Sequence, residues 1–235
     1  MTTTAANPLE LRNVSGTSAD GAAVMGITTA FSAGRLHILR GTGDSGKSAL
    51  FRFAGLLEPP AEGEVLIFGE GTQALDEDAR TGLRMQRIGF AFAAPFLLSS
   101  FSVIENVAMP LFKISQVDPD EARRRTQEVL EFVGLAHAVE AKVEDLATLA
   151  QYGVAIARGL VNAPIALLVE EVDGVLAGPE VEDFVSLLRR VATTFGVAIV
   201  ATASPEMKTL ASDRVLDIAH GVIARDSECL PEICE

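Results

Sequence analysis

The chain is poor in cysteine and lacks long apolar segments. Its only cysteines are Cys229 and Cys234, and no second Cys/His pair accompanies them, so a structural zinc site is not expected. Reduced thiols in the cytosol are the default for such a pair. The longest apolar run covers residues 196–203 and is too short to cross a bilayer, and residues 1–8 carry no export signal. We therefore expect any membrane role to come through a partner.

Aromatic residues and positive charge are also scarce. The sequence contains no tryptophan and one tyrosine, Tyr152. Its net charge of −13 disfavours electrostatic binding of nucleic acid or of anionic lipid. With 235 residues and 49% hydrophobic content, the chain is long and apolar enough to bury a full core. We expect residues 1–235 to form a single α/β domain, and we do not expect nucleic acid as a partner.

A glycine-rich segment carries the strongest functional signal. Residues 41–48 read Gly-Thr-Gly-Asp-Ser-Gly-Lys-Ser, which matches the phosphate-binding pattern GxxxxGK followed by Ser. In such a loop the backbone N–H groups point inward, the Lys47 ammonium reaches the terminal phosphates, and the Ser48 hydroxyl can ligate Mg²⁺. The alternative is a glycine-rich turn with an incidental lysine. The residues predicted to contact nucleotide are Gly41, Gly43, Asp44, Ser45, Gly46, Lys47, Ser48 and Ala49.

Strand-like and helix-like segments alternate along the chain. The strand-like runs cover residues 9–14, 27–31, 35–39, 64–68, 88–92, 165–169 and 197–201. The helical patterns cover residues 49–54, 119–134, 150–161 and 179–195. Because residues 165–169 and 197–201 are continuously apolar, they predict strands that are buried on both faces of a parallel sheet. Residues 95–160 predict a helical subdomain inserted into this α/β core.

Two carboxylates follow the apolar run at residues 165–169. Successive side chains of a strand point to opposite faces, so Glu170 and Glu171 cannot play the same part. A P-loop enzyme needs an acidic group at such a strand end to hold Mg²⁺ and to orient water. We predict that Glu170 lies on the Mg²⁺ side, through water, and that Glu171 acts as the general base. The alternative is a pair of solvated charges at the end of a strand.

Several further segments match one protein family. They are Ile88-Gly89-Phe90-Ala91-Phe92 with Leu97-Leu98, Glu105-Asn106-Val107-Ala108-Met109-Pro110-Leu111, Val133-Gly134-Leu135 and Val154-Ala155-Ile156-Ala157-Arg158. Through these segments and the phosphate loop, residues 9–225 resemble the nucleotide-binding subunits of ABC transporters, and most of all the lipoprotein-release and macrolide-export branch. The resemblance implies the ABC ATPase fold, in which a parallel P-loop core carries an N-terminal antiparallel β region and an inserted helical subdomain.

The resemblance also implies cofactors, partners and a location. ATP and Mg²⁺ are the expected cofactors. A second ABC ATPase subunit, identical or different, is expected to pair with this chain beneath transmembrane subunits, on the cytoplasmic face of the cell membrane. In that arrangement each ATP lies between the phosphate loop of one chain and the signature segment of the other.

Several positions differ from the pattern of the family. Residues 146–150 read Leu-Ala-Thr-Leu-Ala where the family has Leu-Ser-Gly-Gly-Gln, which removes a serine hydroxyl and adds bulk where glycine permits close approach. Ala93 replaces a glutamine that helps to position Mg²⁺. Ala203 replaces the switch histidine that contacts the γ-phosphate. Residues 175–177 read Val-Leu-Ala in place of Asn-Leu-Asp.

Three remaining differences concern nucleotide binding itself. Glu170 stands where the family usually has Asp, and the longer side chain displaces the carboxylate, which octahedral Mg²⁺ tolerates poorly. Ser18 falls near the position of the aromatic residue that stacks on adenine, and that loss alone weakens ATP binding by roughly tenfold to a hundredfold. Asp44, where many relatives carry glycine, brings negative charge near the phosphates.

Three hypotheses follow from these residues. The favoured one is an ATP-binding subunit of an ABC transporter with weak or absent hydrolysis. The second is a working ATPase that energises export or extraction at a bacterial membrane, which Lys47 and Glu171 permit. The third is a scaffold that binds no nucleotide, or a P-loop enzyme of another kind such as a kinase.

Overall fold

Ten strands and six α-helices make up the part of the chain that the computed structural model describes, which is residues 7–115, 117–174, 176 and 178–228. The strands are β1 (Leu9–Thr17), β2 (Ala23–Phe31), β3 (Leu36–Arg40), β4 (Glu62–Ile67), β5 (Glu70–Gly71), β6 (Ile88–Ala91), β7 (Ala166–Val169), β8 (Ala198–Ala203), β9 (Arg214–Ala219) and β10 (Val222–Asp226). The helices are α1 (Lys47–Ala54), α2 (Glu77–Arg87), α3 (Val103–Pro110), α4 (Pro119–Phe132), α5 (Thr148–Leu160) and α6 (Pro179–Phe195).

The strands form two sheets. One is antiparallel, in the order β2-β1-β4-β5, and the other has the order β10-β9-β3-β8-β7-β6. The five strands from β9 to β6 are parallel, and β10 pairs antiparallel with β9 at the edge. The predicted α/β fold with an N-terminal antiparallel β region is confirmed. The edge strand makes the larger sheet mixed, which the expectation of a purely parallel sheet did not include.

Helix α4 begins where its sequence signals predict. The Asp118 carboxylate accepts hydrogen bonds from the backbone N–H groups of Asp120 and Glu121, and Pro119 fills the first helical position. Gly134 takes a left-handed backbone with φ of 80° directly after the helix, as a helix-ending glycine does. The predicted helix over residues 119–134 is confirmed, although its last residue is Phe132 rather than Gly134.

Two helices, α2 and α3, were not predicted, although both carry capping signals. Asp76 caps α2, acidic residues fill its first turn and arginines its last, but none of its residues is fully buried. Helix α3 has only eight residues and contains Pro110, which ordinarily argues against a helix interior. A capping box marks its start, because Ser102 and Glu105 each bond the other's backbone N–H group.

The hydrophobic core lies in two clusters on opposite faces of the larger sheet. In one, Leu50, Phe51 and Phe53 of α1 pack between the two sheets with residues of β1 and β2. The other lies beneath α3, α4, α5 and α6. Helix α1 is therefore held by apolar contacts on both sides, which fixes the loop that precedes it.

Helices α3, α4 and α5 all lie between β6 and β7 in the sequence, where a helical insertion was predicted. The boundaries of a subdomain at residues 95–160 stay a prediction. Helix α5 starts at Thr148, two residues before the predicted start. In the described ranges, none of the helices has both the length and the apolar character that crossing a membrane requires.

A histidine lies in the centre of the larger sheet. His37 on β3 is fully buried, its Nε2 lies 3.1 Å from the carbonyl oxygen of Ser32, and its Nδ1 has no hydrogen-bond partner in the described part of the chain. Its ring meets Phe31 edge-on. Burial disfavours the charged imidazolium and lowers the pKa of His37 from 6.5 to about 4.

We predict that folding stability falls as the solution is acidified from pH 7 to pH 5. The folded state holds His37 neutral down to about pH 4, so the unfolded state binds more protons between pH 4 and pH 6.5. The expected loss is about 2 kcal/mol, measured by denaturant unfolding at the two pH values.

His37→Gln should remove most of this loss, because glutamine does not titrate. The exposed His137 provides the control, since His137→Gln makes the same substitution at the surface. Equal pH dependence in His37→Gln and the wild-type chain would contradict the assignment to His37.

Candidate nucleotide-binding site

Parallel strand pairing brings the predicted site residues to one edge of the larger sheet. Arg40 at the end of β3 pairs with Ala203 at the end of β8, and Val169 at the end of β7 pairs with Ala201 of β8. The phosphate loop follows β3 and the acidic pair follows β7. Both segments therefore leave the sheet at the same edge, where ligands bind in open α/β folds.

Two glycines of the phosphate loop, Gly41 and Gly46, occupy positions that no larger residue fits. Gly46 has a φ of 97°, and a Cβ atom there would lie 2.4 Å from the carbonyl oxygen of Ala23. A Cβ atom at Gly41 would lie 2.5 Å from the carbonyl oxygen of Ile218. The Ser45 carbonyl accepts a 2.8 Å hydrogen bond from the N–H group of Gly221. The loop is thus wedged between β2 and the β9-β10 turn.

Helix α1 presents its N-terminus to this loop. Its hydrogen-bond ladder begins with the N–H group of Leu50 donating to the carbonyl of Gly46, at 3.1 Å. The N–H groups of Ser48 and Ala49 precede that ladder and have no acceptor within the helix. Together with the helix dipole they favour an anion at this end. The Lys47 ammonium donates to the carbonyl of Thr42, at 3.1 Å, so it is folded onto its own loop.

Two carboxylates, Asp44 in the loop itself and Asp20 before β2, lie near Ser48. Asp44 is exposed and accepts a 2.6 Å hydrogen bond from the Thr42 hydroxyl, which is the main reason that the pKa of Asp44 is lowered. The pKa of Asp20 is also lowered, first by the hydroxyl of the buried Ser18 and further by that of Ser48. Both carboxylates line a cavity of about 450 Å³ beside Ser48. Negative charge therefore faces the predicted Mg²⁺ ligand.

The two members of the acidic pair have different surroundings. Glu170 is half-buried, and its Oε2 accepts a hydrogen bond from the N–H group of Ala93, at 3.2 Å. Glu171 is exposed and has a left-handed backbone with φ of 47°. Its N–H group donates to the Thr202 hydroxyl, at 2.8 Å. Strained backbone of this kind is held only where neighbouring bonds enforce it, and it is common at functional sites.

The end of β8 supports the loop through its backbone. Ala203 is buried, and its carbonyl accepts a 3.3 Å hydrogen bond from the N–H group of Gly41. The next residue, Ser204, donates its N–H and hydroxyl groups to the Asp173 carboxylate, at distances of 2.6–3.2 Å. Both donor groups of Ser204 therefore engage the Asp173 carboxylate.

Comparison with known proteins identifies the family. The model of the ABC transporter family matches residues 24–173. The chain belongs to this family, as an ABC transporter ATP-binding domain. It is 38% identical to the lipoprotein-releasing system ATP-binding protein LolD of Maricaulis maris over 198 residues, which cover 83% of this chain and 85% of that protein. With LolD of Paramagnetospirillum magneticum it shares 39% identity over 193 residues, covering 81% and 84%.

Solved structures agree with this assignment. The dimeric bacterial ABC cassette MJ0796 in a post-hydrolysis state, bound to ADP and phosphate, superposes with a TM-score of 0.78 at 28% identity, covering 93% of this chain and 97% of that one. CbiO1 from Clostridium perfringens superposes with a TM-score of 0.83, covering 94% and 88%, and at 23% identity it supports the fold alone. The predicted ABC ATPase fold is confirmed.

The segment that stands at the ABC signature position opens helix α5. Ala147 precedes the helix, and Thr148 is exposed in its first turn. Leu149 is half-buried and packs against the core beneath α5. The side chains of this segment therefore take part in helix formation and packing. Val175 and Ala177, which the sequence comparison predicts to replace Asn and Asp, lie outside the described residues, as do Cys229 and Cys234.

Several residues around the ABC site were missed by sequence reasoning. Asp20, His220 and Gly221 line the cavity beside the loop, although up to 180 residues separate them from it in sequence. No local pattern marks them. Tyr152 was noted only as the single tyrosine, yet its hydroxyl donates to the carbonyl of Ala93, the residue whose N–H group bonds Glu170.

We predict that Gly46→Ala destabilises the chain by about 2 kcal/mol or more, because it adds left-handed strain and a clash with the Ala23 carbonyl. Gly43 lies in the same loop without a positive φ, and its Cβ would meet nothing within 4 Å among the described residues. Gly43→Ala is therefore the control, with an expected change within about 0.5 kcal/mol. Denaturant unfolding measures both, and similar values for the two variants would refute the wedged geometry.

Proposed function

We propose that the chain is the ATP-binding subunit of an ABC transporter complex, that it binds Mg-ATP through residues 41–48, and that it hydrolyses ATP slowly or not at all. The observation that carries the binding proposal is the shape of the loop. Gly46 and Gly41 let the loop backbone pack against Ala23 and Ile218 where a Cβ atom would clash, so the loop turns tightly into α1, whose first N–H groups have no acceptor within the helix. Such a cradle fits a phosphate chain.

Each predicted site residue has a part in this proposal. The loop N–H groups would hold the phosphates, and the Lys47 ammonium would leave the Thr42 carbonyl for the terminal phosphates. Ser48 and Glu170 would hold Mg²⁺, directly or through water. When bound, Mg²⁺ neutralises the charge that develops on the phosphates. Glu171 would orient or deprotonate the attacking water.

Weak hydrolysis is proposed because the groups around the loop are altered or engaged. Ala93 and Ala203 have no side-chain polar group to meet Mg²⁺ or the γ-phosphate. The Asp173 carboxylate is bonded to Ser204. Removing one preorganised donor costs about 10²–10³ in rate, and several are missing at once, although their effects need not add.

Dimerisation gives a second reason to expect slow hydrolysis. In a homodimer both composite sites would join a loop without its glutamine and histidine to the altered segment at residues 146–150. With an intact partner, one site would lack the glutamine and histidine and the other would face the altered segment. Each of the two ATP sites then has altered residues from this chain, so this chain and a single partner cannot form one fully intact site.

The relatives suggest the setting of the complex. LolD proteins are ATP-binding proteins of lipoprotein-releasing systems. We propose by analogy that this chain pairs with a second ABC subunit, beneath transmembrane subunits, at the cytoplasmic face of the membrane. Lipoprotein release is the process that the relatives favour for it.

We predict that Lys47→Met weakens ATP binding at least about tenfold, because a hydrogen bond to a charged group contributes about 1.5–3 kcal/mol. Isothermal titration calorimetry of the full chain with Mg-ATP measures the effect. The exposed Lys142 supplies the control, and Lys142→Met should bind as the wild-type chain does. If the wild-type chain bound no ATP, the scaffold hypothesis would replace the proposal.

We predict that phosphate release by the purified chain is slow or undetectable, alone or with its membrane partners, and that Glu171→Gln lowers any measurable release, because Glu171 is the proposed base. Glu128→Gln, on an exposed position of α4, provides a matched charge-removal control. A robust turnover that disappears in Glu171→Gln and persists in Glu128→Gln would establish a working ATPase instead.

A further inference from the structure

Both backbone polar groups of Ala93 are bonded to side chains from other elements. Its N–H group donates to Oε2 of Glu170, at 3.2 Å, and its carbonyl accepts from the Tyr152 hydroxyl. These two groups flank one α-carbon. The Tyr152 bond holds the peptide unit after Ala93, and because only the φ and ψ angles of Ala93 separate that unit from the one carrying its N–H group, the bond limits how far that N–H group can turn from Glu170.

Tyr152 is itself held rigidly. Only 4% of its surface is exposed, and its ring packs edge-on against Phe184 of α6 with centroids 5.5 Å apart. It lies on α5, and the same helix carries Arg158, whose guanidinium donates to the carbonyls of Pro95 and Phe96 at 2.7 and 2.8 Å. Helix α5 thus holds the segment after β6 at two points.

The surroundings of Tyr152 keep its hydroxyl a donor. Burial raises the pKa of Tyr152, and the negative charge of Glu171 raises it further. The phenol therefore stays protonated at neutral pH and donates to Ala93.

We propose that Tyr152 is a positioning residue for Glu170, acting through the backbone of Ala93. Residue 93 has no side-chain donor. The hydrogen bond from the Tyr152 hydroxyl to the Ala93 carbonyl and the one from the Ala93 N–H group to Glu170 together orient the carboxylate that is predicted to hold Mg²⁺. This inference rests on the proposed function, because it concerns the Mg²⁺ dependence of ATP binding. The proposal also predicts that α5 and the end of β7 move together, because these two hydrogen bonds join them through Ala93.

Tyr152→Phe tests this positioning role, because it removes the hydroxyl that bonds the Ala93 carbonyl and keeps the ring that packs on Phe184. Calorimetric titration with ATP, in excess Mg²⁺ and in EDTA, gives the gain in affinity that Mg²⁺ provides. We expect Tyr152→Phe to reduce this gain about fivefold and to leave the affinity in EDTA unchanged. In the nucleotide-free protein, hydrogen exchange of the Ala93 amide should accelerate about tenfold.

Two further variants separate positioning from a general structural effect. Thr126→Val removes a buried hydroxyl from α4, where it bonds only within its own helix, and should change neither measurement. Glu170→Gln should abolish most of the gain in ATP affinity that Mg²⁺ provides. In the double variant, Tyr152→Phe should reduce that gain no further, because Tyr152 acts through Glu170.

The outcomes are distinguishable. A full Mg²⁺ gain in Tyr152→Phe, or an additive loss in the double variant, would overturn the inference and leave the proposed function standing. Absence of ATP binding by the wild-type chain in either condition would overturn the proposed function, and the inference with it.

Discussion

Parallel pairing of β3, β8 and β7 is the constraint on which the site depends. Because the three strands run in the same direction, the segments that follow them emerge at one edge of the sheet. The loop after β3 is then fixed by backbone bonds, from Gly41 to Ala203 and from Gly221 to Ser45. Apolar packing of α1 between the two sheets secures its other end. The geometry of the cradle is therefore a property of the whole sheet.

Around this cradle, many polar groups bond to other parts of the protein. Glu170 accepts from the backbone of Ala93, Asp173 holds Ser204, and the Lys47 ammonium donates to its own loop. A backbone amide does for Glu170 what a longer side chain at residue 93 could do in other members of the family. These bonds tie the polar groups around the loop into the fold.

Local signals predicted those elements whose chemistry is local. Helix α4 has an N-cap, a first-turn proline and a terminal glycine, and β7 and β8 are apolar on both faces, so each was found. Helix α2 buries no residue, and its N-cap Asp76 and acidic first turn were overlooked. The β9-β10 hairpin was missed as well, although its strands complete the larger sheet and its turn supports the phosphate loop.

The sequence by itself determined the phosphate loop, because glycine spacing, the lysine and the start of a helix are contiguous and act through local backbone geometry. It also determined which side chains are absent around that loop. Only the tertiary structure decided which groups bond to one another at the positions of the absent side chains. The Ala93 N–H group bonds Glu170, 77 residues away in sequence, and the Tyr152 hydroxyl bonds the carbonyl of Ala93, 59 residues away. Such bonds depend on how sheets and helices pack, and no periodicity or spacing in the chain encodes them.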